Sequence, residues 1–202
     1  SLSLSDEQIS RIKSIDKEAR LAIVEPGVIL ADFQKAVEAE GAFYPPDPTE
    51  WSCEIGGTVA TNASGARSFK YGATREYVNA VTVVLADGEI LQLKRGKTFA
   101  NADGIVELTT KAGRKISARV PTYDRPNVRK NVSGYYNARP LDAIDLFIGS
   151  EGTLGVITEV ELRLLEKSEG FFSGIVFFAV ESDLLSFVEE ARAASLSTRK
   201  NR

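Results

Sequence analysis

The residues best suited to chemistry lie in a first glycine-rich stretch, residues 44–72. Three prolines stiffen its start, because each proline fixes its own φ and biases the preceding residue toward extended geometry. Glycines and short Ser, Thr and Asn side chains follow, and we expect their backbone N–H groups and hydroxyls to point outward together. Groups of this kind hold a phosphate or pyrophosphate without a metal. The composition disfavours an ordinary helix or strand and predicts an anion-binding loop; a surface loop without a ligand is the alternative.

A second glycine-rich stretch, residues 149–158, leads directly into an alternating strand. The alternation predicts that Val156 and every second residue to Leu164 share one face of this strand. The charged residues between them are expected on the other face.

The chain has no histidine and one cysteine. The absence of histidine removes Ser-His-Asp and Cys-His catalysis, two-histidine metal motifs and a histidyl link to a cofactor. One cysteine excludes an internal disulfide and a cysteine-based metal cluster, and it fits a reducing compartment. We therefore expect no metal, a cytoplasmic location and, for any reaction, reactive atoms supplied by a bound cofactor.

The bulk composition is that of a globular protein with a sizeable core. Its 202 residues are 43% hydrophobic and 26% charged, which is enough to bury a real core. The net charge of −3 gives no reason to expect nucleic acid or an anionic membrane as a partner. No segment approaches the roughly 20 apolar residues of a membrane helix. The basic, aromatic residues 121–140 are interpreted as an exposed excursion rather than a nucleic-acid surface.

Short strands with few helices dominate the expected secondary structure. The expected elements are strands 9–15 and 21–24, a helix from Leu30 that ends before Gly41, a hairpin (81–85 and 89–93) turning at Asp87-Gly88, a second hairpin (105–110 and 115–120), a short helix 141–147, strand 156–164, strand 171–180 and a helix to Ala194. This order lacks the β-α-β alternation of a doubly wound sheet, so it favours an α+β fold. No Gly-x-Gly-x-x-Gly fingerprint follows a strand, which disfavours a Rossmann site.

Several motifs occur together in a characteristic order. They are Pro45-Pro46-Asp47-Pro48, Ile55-Gly56-Gly57, residues 60–65, the Lys130 to Tyr135 segment and residues 149–159. In this order they resemble the FAD-binding domain of the vanillyl-alcohol oxidase / p-cresol methylhydroxylase (PCMH-type) flavoproteins. The similarity is greatest to the FAD-linked branch that contains the glycolate oxidase FAD subunit, D-lactate and D-2-hydroxyglutarate dehydrogenases and alkyl-dihydroxyacetonephosphate synthase. It covers residues 9–165.

The resemblance implies an α+β fold of PCMH type with two α+β subdomains and the start of a cap domain. The expected division is 1–79 for the remainder of the first subdomain, 80–166 for the second, which contains an antiparallel sheet, and 167–202 for the cap. The resemblance also implies non-covalent FAD and oxidation of a small 2-hydroxy acid, such as D-lactate or glycolate, by hydride transfer to the flavin. An iron–sulfur or other electron acceptor is a possible partner. Group exchange of the ether-lipid synthase type and a module without activity are the alternatives.

Carried over position by position, the resemblance implies a set of cofactor contacts. Residues 47–53 resemble the loop that meets the pyrophosphate, and residues 151–157 resemble the segment that cradles the adenosine half. The full set is Pro46, Asp47, Thr49, Ser52, Cys53, Ile55, Gly56, Gly57, Thr61, Asn62, Ser64, Gly65, Tyr71, Gly72, Glu151, Gly152, Gly155, Val156 and Ile157.

Some of these residues also have structural interpretations. Glu151 and Arg67 are equally suited to surface ion pairs, and Tyr71 to a packed core position. Asn131 and Tyr135, with Lys130, are candidates for the flavin's reactive end, although a solvated lysine is the alternative for Lys130. No catalytic base can be named from the sequence.

The sequence also departs from the family pattern. The Arg-Gly-Gly-Gly-Thr-like pyrophosphate loop of the family is expected before Leu2, and the cap is represented only by residues 171–202. Cys53 stands where relatives often carry a hydroxyl, and a thiol is a weaker donor. Residues 96–123 exceed the minimal family length. We therefore expect weak or absent FAD binding by this chain alone and non-covalent binding by the parent protein.

Overall fold

A five-stranded antiparallel sheet organises the computed structural model, which describes residues 9–124, 126–128, 131–170 and 173–199. The strands are β1 (Ile12–Asp16), β2 (Leu21–Val24), β3 (Ala42–Phe43), β4 (Val78–Val84), β5 (Ile90–Lys94), β6 (Ile105–Thr109), β7 (Lys115–Arg119), β8 (Val156–Arg163) and β9 (Leu165–Glu166). The helices are α1 (Leu30–Ala39), α2 (Ile55–Ala60), α3 (Ser68–Tyr71), α4 (Ile144–Phe147) and α5 (Glu181–Arg199), with a 3-10 helix at Thr74–Glu76. The large sheet has the order β1-β2-β8-β4-β5, and β3-β9 and β6-β7 form two smaller sheets.

Both hairpins and the first helix end are confirmed. β4 and β5 pair around the Asp87-Gly88 turn, where Gly88 has a φ of +84°. β6 and β7 pair around Gly113, whose φ is +91°. α1 is followed by Gly41 at a φ of +75°. Glycine suits these positions because a left-handed backbone costs it nothing.

One face of the large sheet carries the core. Its buried side chains come from β2, β4, β5 and β8, and they are Ala22, Val24, Val78, Val81, Val83, Leu91, Leu93, Ile157, Val160 and Leu162. These residues form one core cluster with Phe33 and Val37 of α1, with Ile55 and Val59 of α2 and with Ile144 of α4. β1 and β2 pair in the same sheet as β4 and β5. The division of the chain at residue 79 stays a prediction.

The prediction that Val156 lies on the same face of β8 as Val160 is wrong. Val83 pairs with Ile157 and Thr82 pairs with Glu159, so Thr158 is the extra residue of a β-bulge. The bulge reverses the alternation, and Val156 is therefore 44% exposed whereas Ile157 is 8% exposed. Val156 does not share the buried face of Val160.

The strand expected over residues 171–180 is also wrong where it can be judged. Residues 173–180 form neither helix nor strand, and Phe171 and Phe172 lie outside the described residues. Ile175 and Phe177 are 82% and 87% exposed. An extended segment is stable only with strand neighbours, and no strand of the described residues pairs with this one. The helix expected after it is present as α5, which begins at Glu181.

No helix in the described ranges combines the length and the apolar composition needed to cross a membrane.

Candidate functional site

The two glycine-rich stretches lie side by side. The Gly149 N–H donates to the Val59 carbonyl over 3.0 Å, and the Glu151 N–H donates to the Ala60 carbonyl over 2.9 Å. The end of α2, within the first stretch, is thereby joined to the start of the second stretch. Residues that are far apart in the sequence thus border one surface.

The first stretch is not one continuous loop, because it contains α2 and α3. The Ile55 and Gly56 N–H groups donate to the carbonyls of Val28 and Pro26, over 2.9 and 2.8 Å. A Cβ at Gly56 would stand 2.5 Å from the Pro26 Cβ. α2 therefore begins in direct contact with the turn after β2, and Gly56 is required by this packing.

Gly65 and Gly155 are also packed against protein backbone. A Cβ at Gly65 would stand 1.7 Å from the Asp47 carbonyl oxygen, so the two ends of the first stretch touch there. A Cβ at Gly155 would stand 2.7 Å from the Val84 carbonyl oxygen. Both glycines hold the stretches against the rest of the fold.

Gly57 and Gly152 differ from these packed glycines. Both are exposed, and a Cβ at either position would meet no atom within 4 Å. They lie on the two stretches that the Val59–Gly149 and Ala60–Glu151 hydrogen bonds join. A bulky ligand group could approach the backbone closely at both positions, and an added methyl group would occupy that space. Backbone is therefore open at one glycine of each stretch.

The expectation that N–H groups and hydroxyls point outward together is wrong for several residues. The Ile55 and Gly56 N–H groups are used inside the fold, as described above. The Thr61 hydroxyl donates to the Gly57 carbonyl over 2.8 Å, and the Ser52 hydroxyl donates to a Glu50 carboxylate oxygen over 2.5 Å. The short helical turn of α2 and the acidic neighbour Glu50 offer nearby acceptors, so these hydroxyl donors form local hydrogen bonds within the chain.

The expected cofactor contacts divide by exposure. The exposed ones are Thr49, Ser52, Gly57, Thr61, Glu151, Gly152 and Val156. The half-buried ones are Asp47, Cys53, Ser64, Gly65, Tyr71, Gly72 and Gly155. The buried ones are Pro46, Ile55, Gly56, Asn62 and Ile157. The buried group shapes the surface from below, and the exposed group is available to a ligand.

Two of the alternative interpretations have structural contacts. Arg67 Nε lies 3.3 Å from Asp47 Oδ2, and the Arg67 guanidinium stands 5.4 Å from the centre of the Phe43 ring. The Tyr71 ring packs edge-on against Phe43 at 5.7 Å, and its carbonyl accepts from the Tyr77 hydroxyl over 2.7 Å. A cofactor contact by Tyr71 stays a prediction.

The residues expected at the reactive end lie near the second stretch. Asn131 and Tyr135 line a small cleft together with Asn62. The Tyr135 and Thr153 hydroxyl oxygens are 2.6 Å apart, so Tyr135 touches the stretch that the resemblance assigns to the adenosine half. Lys130 lies outside the described residues.

A buried ionic cluster behind the two stretches was missed by the sequence reasoning. Arg75 Nη1 donates to Asp145 Oδ1 over 2.8 Å, and Arg95 Nη2 donates to the same oxygen over 3.0 Å. The side chains of Arg75 and Asp145 are only 14% and 9% exposed. Burial lowers the pKa of Arg75, whereas the hydrogen bond and charge of Asp145 act in the opposite direction. No local pattern signals this cluster, because Arg75 and Asp145 are 70 positions apart.

Glu25 anchors the turn on which α2 rests. Its carboxylate accepts from the Arg11 backbone N–H over 2.8 Å and from Arg11 Nη2 over 2.8 Å. The side-chain hydrogen bond from Arg11 is the main cause that lowers the pKa of Glu25 to about 2. The ionised carboxylate therefore ties the residue before Pro26 to Arg11. For Cys53, burial raises the pKa of the thiol above its ordinary value.

Comparison with known proteins gives one family and several relatives. Residues 1–94 match the FAD binding domain family. The chain is 35% identical over 187 residues to a D-lactate dehydrogenase of Anaerostipes hadrus, which covers 93% of this chain and 32% of that protein. It is 37% identical over 164 residues to the glycolate oxidase subunit GlcD of Bacillus subtilis strain 168, covering 81% of this chain and 27% of that protein. The chain thus spans about a third or less of the length of these curated relatives.

A solved structure of alkyldihydroxyacetonephosphate synthase has the same fold over much of the chain. Its TM-score is 0.54 at 20% sequence identity, and the match covers 81% of this chain and 22% of the synthase. At this identity the likeness shows the fold alone. It confirms the expected α+β architecture of the FAD-binding proteins.

Proposed function

Because residues 1–94 match the FAD binding domain family, we propose that the two joined glycine-rich stretches form one wall of an FAD site. In the longer protein, this site serves the oxidation of a small 2-hydroxy acid. The relatives support the reaction class, since they are named as D-lactate dehydrogenase and glycolate oxidase subunit.

One observation carries the proposal. The open backbone at Gly57 and the open backbone at Gly152 belong to stretches that hydrogen bonds hold side by side. A pyrophosphate needs close approach to backbone, and only glycine leaves that space. The packed glycines Gly56, Gly65 and Gly155 have structural reasons to be glycine, but Gly57 has none within the described residues.

The start of β8 offers a second contact. The pairing of β2 with β8 ends at Val24 and Val160, whereas β4 continues to pair with β8 as far as Val156. Residues 156–159 therefore have a strand neighbour on one side only among the described residues. Their backbone groups on the other side are suited to the hydrogen-bonding edge of an adenine. The exposed Val156 side chain would cover part of its face.

FAD supplies the hydride acceptor when it is bound. The role of this chain is to bind and orient: the open glycines admit the phosphates, and the start of β8 receives the adenosine half. The substrate would be a small 2-hydroxy acid of the D-lactate or glycolate type. A separate electron acceptor would reoxidise the flavin, and a cytoplasmic location stays a prediction. The likeness to alkyldihydroxyacetonephosphate synthase shows only the fold, so it does not favour group exchange.

FAD titration of the full-length protein tests the site. Gly57→Ala is expected to weaken FAD binding at least about tenfold, because the new methyl group occupies the phosphate's approach. Gly170→Ala is the matched control, since a Cβ there also meets no atom within 4 Å and the residue lies outside both stretches. Equal FAD affinities of the two variants would contradict the proposal.

A substrate panel tests the reaction class. Anaerobic addition of D-lactate, glycolate or D-2-hydroxyglutarate to the full-length holoprotein is expected to bleach the oxidised flavin's visible absorption. L-Lactate and simple alcohols serve as controls. If no 2-hydroxy acid bleaches a flavin that dithionite does reduce, the substrate class is wrong while the FAD site stands.

A further inference from the structure

Arg75 lies at the point where the two glycine-rich stretches meet. Its backbone N–H donates to Asn62 Oδ1 over 2.9 Å, which fixes the residue that follows the last turn of α2. Its guanidinium binds the segment immediately before the second stretch, because Nη2 donates to the Ile148 carbonyl and Nη1 donates to the Asp145 carbonyl over 2.7 Å. One residue thus touches both stretches or their immediate neighbours.

The space around this residue is closely filled. A Cβ at Gly149 would stand 3.3 Å from the Asn62 Cβ and 3.4 Å from Arg75 Nη2. The Arg75 guanidinium also stands 4.2 Å from the centre of the Tyr136 ring. Asn62 itself has a φ of +48°, a conformation that needs support from its surroundings. The position of Arg75 therefore sets how closely Asn62 and Gly149 approach.

The charge of Arg75 is already compensated. Asp145 accepts from it at 2.8 Å, and the side chain is 14% exposed. An arginine beside a nucleotide site would ordinarily be interpreted as a phosphate ligand. Here its terminal nitrogens donate to Asp145 and to the Ile148 carbonyl, so it acts on the protein rather than on an anion.

We propose that Arg75 is a positioning residue, which holds the two glycine-rich stretches at the separation that FAD requires. The inference rests on the proposed FAD site. It predicts that loss of the Arg75 fork loosens the contact between the stretches and weakens FAD binding without removing any group that touches FAD.

Arg95 provides the matched control. It pairs with the same carboxylate, through Nη2 to Asp145 Oδ1 at 3.0 Å and Nη1 to Asp145 Oδ2 at 3.1 Å. Its other side-chain contacts are the carbonyls of Val78 and Arg75 and an ion pair with Asp142 at 4.0 Å, and these contacts reach neither stretch. Arg95→Gln therefore removes the same charge from the same cluster as Arg75→Gln does. Arg75→Lys keeps the charge but loses the planar fork and the ring contact.

The experiment measures amide hydrogen exchange of the full-length apoprotein and its FAD affinity, for wild type and the three variants. In Arg75→Gln and Arg75→Lys, the Gly149 and Glu151 amides are expected to exchange at least about tenfold faster than in Arg95→Gln. The FAD dissociation constants of the two Arg75 variants are expected to rise by about tenfold or more, and that of Arg95→Gln by less than about threefold. Saturating FAD should return the Arg75→Lys exchange rates toward those of the wild type.

The experiment distinguishes failure of the positioning role from failure of the proposed FAD site. Equal exchange at Gly149 and Glu151 in the Arg75 and Arg95 variants would overturn the inference, whether or not FAD binds. If the wild type binds no FAD, the proposed function fails, and the positioning role for FAD fails with it even when the exchange rates differ. If Arg75→Gln does not fold, Arg75→Lys is compared with Arg95→Lys instead, by amide exchange and by FAD affinity.

Discussion

The glycine-rich stretches have an inner side and an outer side that differ in what surrounds their glycines. On the inner side, Gly56, Gly65 and Gly155 have protein atoms within 2.7 Å of an added Cβ. On the outer side, Gly57 and Gly152 have no atom within 4 Å. A glycine of the first kind is explained by the fold. Of the second kind, Gly152 has a φ of +77° that itself favours glycine, whereas nothing in the described residues requires glycine at position 57.

This difference separates stability from function within one sequence motif. Gly56 and Gly57 are adjacent in α2 and identical in chemistry, yet only Gly56 touches the Pro26 turn. Substitutions on the inner side should therefore lower the free energy of unfolding. Substitution of Gly57 should leave it unchanged or raise it and act on the ligand instead, whereas a substitution of Gly152 should also lower it, because the φ of +77° at Gly152 favours glycine.

The largest effect is expected from Gly65→Ala. The new Cβ would overlap the Asp47 carbonyl oxygen at 1.7 Å, and no rotamer change relieves a clash between backbones. The free energy of unfolding should fall by about 4 kcal/mol or more, at the upper end of overpacking effects. Urea unfolding followed by circular dichroism measures it. A Gly65→Ala protein as stable as Gly170→Ala would show that the inner side is not packed as described.

The cluster behind the inner side should give the next largest effect. Asp145→Asn leaves Arg75 and Arg95 without their shared carboxylate in a buried setting. The free energy of unfolding should fall by about 3 kcal/mol, as for other broken buried pairs. Asp87→Asn is the control, because its pair with Arg114 is about half exposed and should be worth about 1 kcal/mol or less. If urea unfolding showed equal losses of unfolding free energy for the two variants, the buried pair would be worth no more than the exposed one, contrary to this prediction.

The anchor of the Pro26 turn should make stability depend on acid. The pKa of Glu25 is about 2 in the folded chain, against an ordinary value of 4.5. A lowered carboxyl pKa stabilises the fold fully above pH 4.5, and this contribution is lost as the pH falls from there toward 2. Melting temperatures of Glu25→Gln between pH 2 and 6 should therefore fall less steeply with acid than those of the wild type. Glu166→Gln, at an exposed ion pair, should retain the wild-type dependence of melting temperature on pH. If the wild type and both variants showed the same dependence, Glu25 would not stabilise the fold through its lowered pKa.

The smallest effect on stability is expected from Gly57→Ala, and it has the opposite sign. The methyl group meets no atom, and alanine favours a helix over glycine. The free energy of unfolding should rise by about 0.5–1 kcal/mol. Differential scanning calorimetry of the apoprotein measures this change. A marked destabilisation would mean that Gly57 belongs to the inner side after all.

Much of the fold could be predicted from local patterns. The Asp87-Gly88 turn and Gly41 specify their structures through backbone conformation, which is a property of the residue itself. The prediction that the first stretch contains no ordinary helix was wrong at α2, because glycines weaken a helix and the stability of α2 comes from its contacts with Val28 and Pro26. The strand expected at residues 173–180 failed because strand formation depends on a neighbour, which the sequence of the segment does not reveal.

The sequence predicted where along the chain the site lies, but not which of its glycines pack against protein and which are open. The motifs identified both stretches, but the pattern gave Gly56 and Gly57 the same role. The bulge at Thr158 exchanged the environments of Val156 and Ile157, and a period-two pattern contains no signal for it. The Arg75–Asp145 pair joins residues 70 positions apart. Such contacts arise from the three-dimensional arrangement, so local spacing could not predict them.

The central claim is that both stretches face one cofactor through their outer side. A crystal structure of the full-length protein with FAD tests it most directly. We expect the pyrophosphate to lie against the backbone at both Gly57 and Gly152, with the adenine beside the start of β8. A pyrophosphate that contacts only one of these glycines, or FAD bound elsewhere on the chain, would contradict it.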